Sequence, residues 1–332
     1  QTAANMVRDF PNACIYHDDI EGGLTEYRKE LLTGFHGEEL KRKYIGRNTG
    51  ITAENFYERL RIIHDLKLEN RADYEYDTGL FDSNGDRIFK LEPTVYILDS
   101  LALLMPAQYT EEEALSGSMS ATAAAKVNSM SFKRIIPMLK SANIILLVIN
   151  HINKKIEINP MMHTKTQVSY LKQDETLPGG TTVIYLTNLL LKFDDNSKFK
   201  KDEAFGISGN LVDITLVKSR NNRAGKSCTL VFDQNKGFDP ELSLFVMLKN
   251  AKRVNGAGAY LYIGDKSDIK FSQKNFKEKL RESPELREVF ISEVMEMLKE
   301  ELNEHNEMEA NSGFDYSLGK DILSMVNAPM AA

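Results

Sequence analysis

Pro93–Ser100, with the sequence PTVYILDS, is the stretch that decides the fold of this chain. Apolar and β-branched residues lead directly into Asp99 and Ser100, a pattern typical of a strand that is buried on both faces of a sheet. Such a strand presents its last carboxylate at the C-terminal edge of the sheet, where open α/β sheets bind ligands. Many buried strands also end at a polar residue, so this stretch alone does not decide whether Asp99 binds metal and phosphate or only ends the strand.

The composition excludes several classes of protein. The chain has 332 residues, 42% hydrophobic and 27% charged, which is enough for one large domain and a smaller one. Cys14, Cys228 and the six histidines show neither disulfide nor zinc-binding spacing, which favours a reducing cytoplasm. The apolar runs are too short to cross a bilayer, so we expect no membrane partner. A net charge of −6 confines any nucleic-acid contact to local patches.

Two further predicted strands also end in polar residues. Ala13–Tyr16 precedes HDDIEGG at 17–23, which is either a second carboxylate-bearing sheet edge or an acidic surface loop. Ile144–Asn150 precedes His151. Charged helical patterns separate the strands and cover 25–46, 52–70 and about 119–140. Strands that alternate with helices predict a mainly parallel sheet.

The remaining segments predict smaller features. Ser83-Asn84-Gly85-Asp86, between apolar segments of 74–90, predicts a surface hairpin. Phe271–Leu302 predicts a helical unit, and the glutamate-rich stretch Glu293–Glu309 with the polar residues after it predicts a mobile acidic tail. Three short strands predict an antiparallel edge on the parallel sheet, at Leu189–Phe193, Asp213–Val217 and Cys228–Asp233. The expected organisation is a core over 1–250, a small α-rich domain over 251–310 and a tail over 311–332.

Several motifs, taken in chain order, resemble the RecA family of recombinases. They are DDIEGG at 18–23, YILDSLALLMP at 96–106, LLVINH at 146–151 with a basic loop after it, LPGG at 177–180 and VKSR at 217–220. The resemblance covers about 1–248 and extends to the UvsX type of T-even-like phages, which shares the Asn-His pair and the VKSR run. It implies an α/β RecA-like ATPase core, with a mainly parallel twisted sheet, antiparallel edge strands and helices on both faces.

The resemblance also implies an activity. Members of the family are DNA-dependent ATPases that use ATP and Mg²⁺, form helical homo-oligomers on single-stranded DNA and exchange strands with double-stranded DNA. For a phage-encoded protein, single-strand-binding and mediator proteins would be further partners, and the host bacterial cytoplasm would be the location. A hexameric helicase and a clock-type ATPase remain alternatives on the same fold.

One motif of the family is not found in this sequence. The family's phosphate-binding loop lies just upstream of the position of Gln1. Gly225-Lys226-Ser227 resembles the end of such a loop, but position 220 is not glycine and TLVF at 229–232 predicts a strand where the loop requires a helix. We therefore expect these 332 residues alone to be inactive, and a non-catalytic DNA-binding protein is a further alternative.

Carried over by position, the resemblance assigns roles at the sheet edge. Asp99 would hold Mg²⁺ through water, with Ser100 beside it. Glu21 would activate the attacking water, with Asp19 as its rival because the alignment needs a one-residue insertion there. His151 would sense the γ-phosphate.

The resemblance assigns further roles outside that edge. Tyr27 would stack on adenine. Lys218 and Arg220 would reach the nucleotide of the neighbouring subunit. Two loops, at about 107–120 and 152–178, would bind DNA. The DNA-binding residues would be Lys154, Lys155, Lys165, Lys172, Gly179 and Gly180.

Overall fold

The computed structural model describes residues 1–109, 120–154, 171, 175–178, 181–199, 205–221 and 224–306. The helices are α1 (Thr2–Val7), α2 (Glu26–Thr33), α3 (Gly37–Lys43), α4 (Ala53–Glu69), α5 (Arg71–Tyr74), α6 (Ser120–Ser141), α7 (Thr181–Leu186), α8 (Pro240–Asn250), α9 (Phe276–Glu282) and α10 (Pro284–Asn306). The strands are β1 (Ile15–Asp19), β2 (Tyr44–Arg47), β3 (Glu75–Phe81), β4 (Arg87–Leu91), β5 (Thr94–Asp99), β6 (Ile144–Val148), β7 (Asn153–Lys154), β8 (Glu175–Thr176), β9 (Leu189–Phe199), β10 (Gly209–Ser219), β11 (Ser227–Asp233), β12 (Gly237–Asp239), β13 (Val254–Asn255) and β14 (Tyr262–Ile263).

A four-stranded parallel sheet contains most of the PTVYILDS stretch, as strand β5. Its order is β2-β1-β5-β6, and every neighbouring pair is parallel. The predicted central strand is confirmed as β5, which pairs with β1 on one side and β6 on the other. An interior position in the sheet explains its apolar sequence, because both faces of β5 are covered.

Helices cover both faces of this sheet. Val95 of β5 packs in one core cluster with Ala4 and Val7 of α1. Tyr96 and Leu98 of β5 pack in a second cluster with α4 and α6. The alternation along β5 follows from the period of two in a strand, which sends successive side chains to opposite faces.

Strand β1 ends later than the sequence predicted. The predicted strand stopped at Tyr16, whereas β1 includes His17, Asp18 and Asp19. Their backbone pairs with β5, and that of His17 and Asp18 also with β2. Asp18 is fully buried because Arg47 and Arg59 both bind its carboxylate. Charge pairing between distant segments thus extends the strand.

Strand β2 was not predicted. The charged pattern at 25–46 predicted helix to its end, but α2 stops at Gly34, which has the left-handed φ of 70° that favours glycine. After α3, Tyr44–Arg47 pairs in parallel with β1 at the edge of the sheet. Tyr44–Arg47 forms a strand because it pairs with β1, and this contact cannot be predicted from local propensity.

The antiparallel elements differ in one respect from the prediction. The hairpin of β3 and β4 is confirmed, and its loop is closed by the Asp82 N–H, which donates to the Asp86 carbonyl at 2.9 Å. The later strands form a sheet of their own, of order β12-β11-β10-β9, instead of extending the parallel sheet.

The C-terminal helical pattern is divided. The helical unit predicted over Phe271–Leu302 consists of two helices, α9 and α10, which are separated at Ser283. Pro284 begins α10, a position where the missing N–H of proline has no cost. Both helices contribute to a phenylalanine-rich core, in which Phe276 packs against Phe245 and Phe290.

The chain divides into two compact units. One comprises Gln1–Lys192 and Thr215–Lys226, and the other comprises Phe193–Ile214 and the chain from Ser227 onward. The expected organisation into 1–250, 251–310 and 311–332 stays a prediction. Within the described part of the chain, no helix has the length and apolar character needed to span a membrane.

Lys67 of α4 is a buried cation in the first unit. Its side chain is 1% exposed, and its Nζ donates to the Glu92 carbonyl at 2.6 Å and to Thr94 Oγ1 at 3.0 Å. Burial lowers the pKa of Lys67 to about 8, from 10.5. The unfolded chain therefore keeps this proton to a higher pH than the folded chain, so the cost of burying the charge is relieved as the pH rises from about 8 toward 10.5.

Replacing Lys67 by Met should remove this pH dependence. The free energy of unfolding of the wild type, minus that of Lys67→Met, should increase by about 2–3 kcal/mol between about pH 7 and pH 10. Urea unfolding followed by circular dichroism measures it. Lys41→Met is the matched control, because Lys41 is exposed in its pair with Glu38, and its difference should stay flat. A constant difference for Lys67→Met would contradict the lowered pKa.

Candidate functional site

The C-terminal ends of β1, β5 and β6 bring polar residues to one edge of the parallel sheet. Asp19 lies opposite Asp99 in the register of β1 and β5. The N–H of Ile20 donates to the Asp99 carbonyl oxygen at 2.6 Å, which fixes the start of the loop after β1. His151 follows β6, the strand on the other side of β5. Groups from three neighbouring strands therefore meet at this edge.

Glu21 and His151 are in direct contact across this edge. The carboxylate of Glu21 accepts a hydrogen bond from His151, with 2.6 Å between Oε1 and Nε2. This bond is the main cause that lowers the pKa of Glu21. Asn150 positions the histidine, since its Oδ1 accepts from the His151 N–H at 3.1 Å and its Nδ2 donates to the Pro178 carbonyl at 2.9 Å. The result is an ionised, partly exposed carboxylate held by an imidazole.

Asp19 has a different environment from Glu21. The N–H groups of Gly22 and Leu24 donate to its two carboxylate oxygens, at 2.8 and 3.2 Å. Its side chain is buried, and Gly22 turns the chain with a φ of 68°. Asp19 therefore holds the loop that carries Glu21, and of the two rivals for the base, Glu21 is the more accessible.

Asp99 and Ser100 end the central strand as the sequence predicted. Burial raises the pKa of Asp99, and the nearby carboxylates of Glu21 and Asp19 raise it further. Ser100 is fully buried, and a hydrogen bond from its side chain is the second cause, after His151, that lowers the pKa of Glu21. The Asp99–Ser100 peptide bond is cis. A concentration of negative charge beside a buried hydroxyl is an environment that a cation would stabilise.

His17 is a site residue that the sequence analysis did not single out. It is 4% exposed, and its Nδ1 lies 2.5 Å from the Tyr44 hydroxyl. Its Nε2 is buried without a partner among the described residues. Burial lowers the pKa of His17, which favours the neutral imidazole. The signal available in the sequence was its spacing of two from Asp19, which places both side chains on one face of a strand.

Lys218 and Arg220 lie at the end of a short helix in the same chain. Nζ of Lys218 donates to the carbonyl oxygens of Ile184, Tyr185 and Thr187, at 2.7, 2.8 and 3.0 Å. Nη2 of Arg220 donates to the Tyr185 carbonyl oxygen at 3.1 Å. Carbonyl groups at the C-terminus of a helix lack intrahelical partners and attract cations. Both cations thus cap α7 in this chain.

Comparison with curated proteins finds distant relatives. Protein RecA of Thermotoga sp. (strain RQ2) is 22% identical over 228 residues, which is 67% of this chain and 60% of that protein. Protein RecA of Thermus aquaticus is 25% identical over 207 residues, which is 61% of this chain and 55% of that protein. The chain is similar to RecA. The parallel sheet with its covered faces is consistent with a RecA-like core.

The RecA similarity is distant and partial. The chain spans 55–60% of the length of these two relatives. No family model matches it.

The other predicted site residues are placed less fully. Tyr27 lies in α2, after the loop that contains Glu21, and is 74% exposed. Its contact with adenine stays a prediction. The backbone of Lys154 lies in β7, but its side chain is outside the described part of the structure. The other predicted DNA-binding residues also fall outside the described residues, namely Lys155, Lys165, Lys172, Gly179 and Gly180.

A second polar cluster resembles a hydrolase triad but lacks its chemistry. His64 lies 2.8 Å from Asp65 through Nδ1 and 3.0 Å from Ser141 Oγ through Nε2. The Ser141 hydroxyl also lies within hydrogen-bond distance of the Pro137 and Met138 carbonyls at the end of α6. The C-terminus of a helix carries partial negative charge and would destabilise an oxyanion there. This cluster is therefore a helix-end contact.

Proposed function

We propose that the chain is the core of a RecA-like recombinase, a DNA-dependent ATPase that forms filaments on single-stranded DNA and exchanges strands with a homologous duplex. The observation that carries the proposal is the meeting of Glu21, Asp99 and His151 at the ends of three adjacent parallel strands. Phosphoryl transfer to water requires a base, a carboxylate that holds the metal ion and a hydrogen-bond donor to the phosphate. All three kinds of group lie at this edge. The distant similarity to RecA supports the same conclusion.

Glu21 would act on the attacking water, and His151 would act on the γ-phosphate. Glu21 is held ionised by His151 and would accept a proton from the water. The Nε2–H of His151, which now donates to Glu21, would be free to donate to a phosphate oxygen when that contact breaks. The exchange of partners would connect the nucleotide to the segment after β6, which leads toward the proposed DNA-binding loop at 152–178.

Asp99 and Ser100 fit the Mg²⁺ that accompanies ATP. Burial raises the pKa of Asp99, and the carboxylates of Glu21 and Asp19 raise it further. The buried Ser100 hydroxyl, next to Asp99 in the chain, is a further oxygen ligand. Asp99 would hold the ion through water, with Ser100 beside it. When bound, Mg²⁺ would neutralise charge on the β- and γ-phosphates.

Lys218 and Arg220 would act on the nucleotide of the neighbouring subunit. In the single chain, both donate to carbonyl groups at the end of α7. Burial lowers the pKa of Lys218, with a further contribution from Arg220, so this ammonium is held where its charge is disfavoured. Phosphate oxygens are stronger acceptors for a cation than neutral carbonyls. A neighbouring nucleotide would therefore compete for the two side chains.

Lys218→Ala should reduce DNA-stimulated hydrolysis by about 10²–10³-fold, as expected for loss of one donor to transition-state charge. A mixing experiment tests whether the donor acts between subunits. Lys218→Ala mixed in equal amounts with Glu21→Gln should recover about a quarter of the wild-type rate, because a quarter of random interfaces pair an intact Glu21 with an intact Lys218. No recovery at any ratio would exclude action between subunits.

The DNA contacts of the proposed function rest on the two loops at about 107–120 and 152–178. Backbone phosphates bind cations with little dependence on base sequence, so local lysines suffice although the net charge is −6. The finer assignment to the phage UvsX type rests on Asn150-His151 and on the VKSR run at 217–220. Single-strand-binding and mediator proteins in the host cytoplasm would then be further partners.

The proposed function is tested on the full-length gene product. Phosphate release from ATP should be stimulated by single-stranded oligonucleotides, and electron microscopy should show open helical filaments on DNA. Closed rings would favour the hexameric helicase or clock-type ATPase on the same fold. DNA binding without hydrolysis would favour a non-catalytic DNA-binding protein.

A further inference from the structure

His17, Asp19 and Asp99 form a compact group on one face of the parallel sheet. His17 and Asp19 are two positions apart on β1, and Asp19 lies opposite Asp99 on β5. One ligand atom from each residue can be chosen so that all three lie within 4.8 Å of one another. In the part of the chain that the structure describes, these three side chains are the group of potential metal ligands that lie close enough together to share one ion.

The unpaired nitrogen of His17 is independent evidence that the group binds a ligand. The imidazole is 4% exposed, yet its Nε2 has no hydrogen-bond partner among the described residues. On the other side of the ring, the Nδ1–H can donate to the Tyr44 hydroxyl at 2.5 Å. That tautomer leaves the lone pair on Nε2. A partner on the far ring nitrogen is the usual way in which proteins orient a metal-binding histidine.

The carboxylate of Asp19 is suited to bind the same ligand as His17. Each oxygen of Asp19 accepts one backbone N–H, from Gly22 or Leu24, and keeps further acceptor capacity. These bonds fix the carboxylate without neutralising it. The nearby Lys29 ammonium lies over the Tyr44 ring and pairs with Glu26. Arg47 and Arg59 pair with Asp18, whose side chain points to the opposite face of β1.

We propose that Nε2 of His17 and one carboxylate oxygen each from Asp19 and Asp99 form a binding site for a divalent transition metal that needs no nucleotide. An imidazole ligand favours Mn²⁺, Co²⁺ or Zn²⁺ over Mg²⁺, which prefers oxygen ligands alone. Ligands on such an ion lie no more than about 4.4 Å apart, so a small closure of the side chains completes the site. Three protein ligands leave positions open for water or a substrate oxygen.

The experiment is a titration of the full-length gene product with MnCl₂ in the absence of nucleotide, with free Mn²⁺ counted by electron paramagnetic resonance. We expect one site, and we expect His17→Gln and Asp99→Asn each to weaken it by at least about tenfold. His64→Gln is the matched control, because His64 also contacts a carboxylate, that of Asp65, but lies outside the group. It should bind Mn²⁺ like the wild type.

A spectroscopic measurement on the unmodified protein covers the case in which a variant fails to fold. Bound Mn²⁺ should show hyperfine coupling to a ¹⁴N nucleus, because an imidazole nitrogen is in its coordination shell. Absence of that coupling, or unchanged affinity in a folded His17→Gln variant, would overturn the site. The site shares Asp99 with the proposed Mg²⁺–ATP site, so the titration omits nucleotide, and its failure would leave the hydrolysis assay unaffected.

Discussion

Replacing Glu21 by Gln should reduce ATP hydrolysis by the full-length gene product by about 10²–10⁴-fold while ATP binding and filament assembly persist. The proposed role of Glu21 is to accept a proton, which an amide cannot do. The amide oxygen of Gln still offers an acceptor to Nε2 of His151, which lies 2.6 Å from the carboxylate. Phosphate release measures the rate, and fluorescence anisotropy of a labelled ATP analogue measures binding.

Two matched variants define what a loss at Glu21 means. Glu26→Gln changes an exposed glutamate in the neighbouring helix that pairs with Lys29, and it should leave the rate unchanged. Asp19→Asn should cost less than Glu21→Gln, because the Asn oxygen can still accept one of the two backbone N–H groups that Asp19 binds. A larger loss for Asp19→Asn would assign the base to Asp19. It would also contradict the one-residue insertion that the alignment with the RecA family needs near Ile20 if Glu21 is the base.

The sheet edge was predictable because its signals are local. The run before Asp99 and the run before His151 each contain enough consecutive apolar residues to predict a buried strand. Parallel strands separated by helices place their C-terminal ends together, so residues far apart in the sequence were expected at one edge. The structure brings Asp19, Glu21, Asp99 and His151 to that edge. Their chemical roles stay predictions.

The end of β1 and the whole of β2 were not predictable in the same way. HDD at 17–19 is a polar sequence, and local propensity favours a loop there. It lies in a buried strand because Arg47 arrives from β2 and Arg59 from α4 to neutralise Asp18. Neither pairing is visible in a short window of sequence, since each depends on which segments become neighbours.

The contacts of His17 and Lys218 also depend on tertiary structure. His17 is buried, its Nδ1 contacts the hydroxyl of Tyr44 in the unpredicted strand β2, and its Nε2 has no partner within the described part of the chain. Lys218 contacts α7 because β10 passes the end of that helix, and the sequence gives no indication that carbonyl groups are its partners. A pattern of residue types in the sequence identifies candidate functional side chains. The contact partners that determine the protonation and position of those side chains depend on the fold.

Replacing Asp18 by Ala should lower the free energy of unfolding by about 3–5 kcal/mol, because it leaves the buried Tyr96 hydroxyl and two partly buried guanidinium groups without their acceptor. Oδ1 of Asp18 accepts from Arg47 Nε at 3.0 Å and from Arg59 Nη1 at 2.6 Å. Oδ2 accepts from Arg47 Nη2 at 2.8 Å and from the Tyr96 hydroxyl at 2.5 Å. Amide hydrogen exchange in β1 and β5 reports opening of this unit alone, which matters because the chain has two compact units.

The matched control for Asp18 is an ion pair in solvent. Glu38→Ala removes an exposed carboxylate that pairs with Lys41 and should change the free energy of unfolding by no more than about 1 kcal/mol. A combined variant, Asp18→Leu with Arg47→Met and Arg59→Met, should recover part of the loss, since it removes the stranded charges together with their partner. The side chains of Arg47 and Arg59 are 26% and 18% exposed, so Asp18→Ala alone would be as stable as Glu38→Ala only if water replaced every hydrogen bond that Asp18 accepts. The loss of unfolding free energy in Asp18→Ala therefore measures the cost of leaving the donors without an acceptor. The recovery in the combined variant measures how much of that cost comes from the unpaired charges of the two arginines.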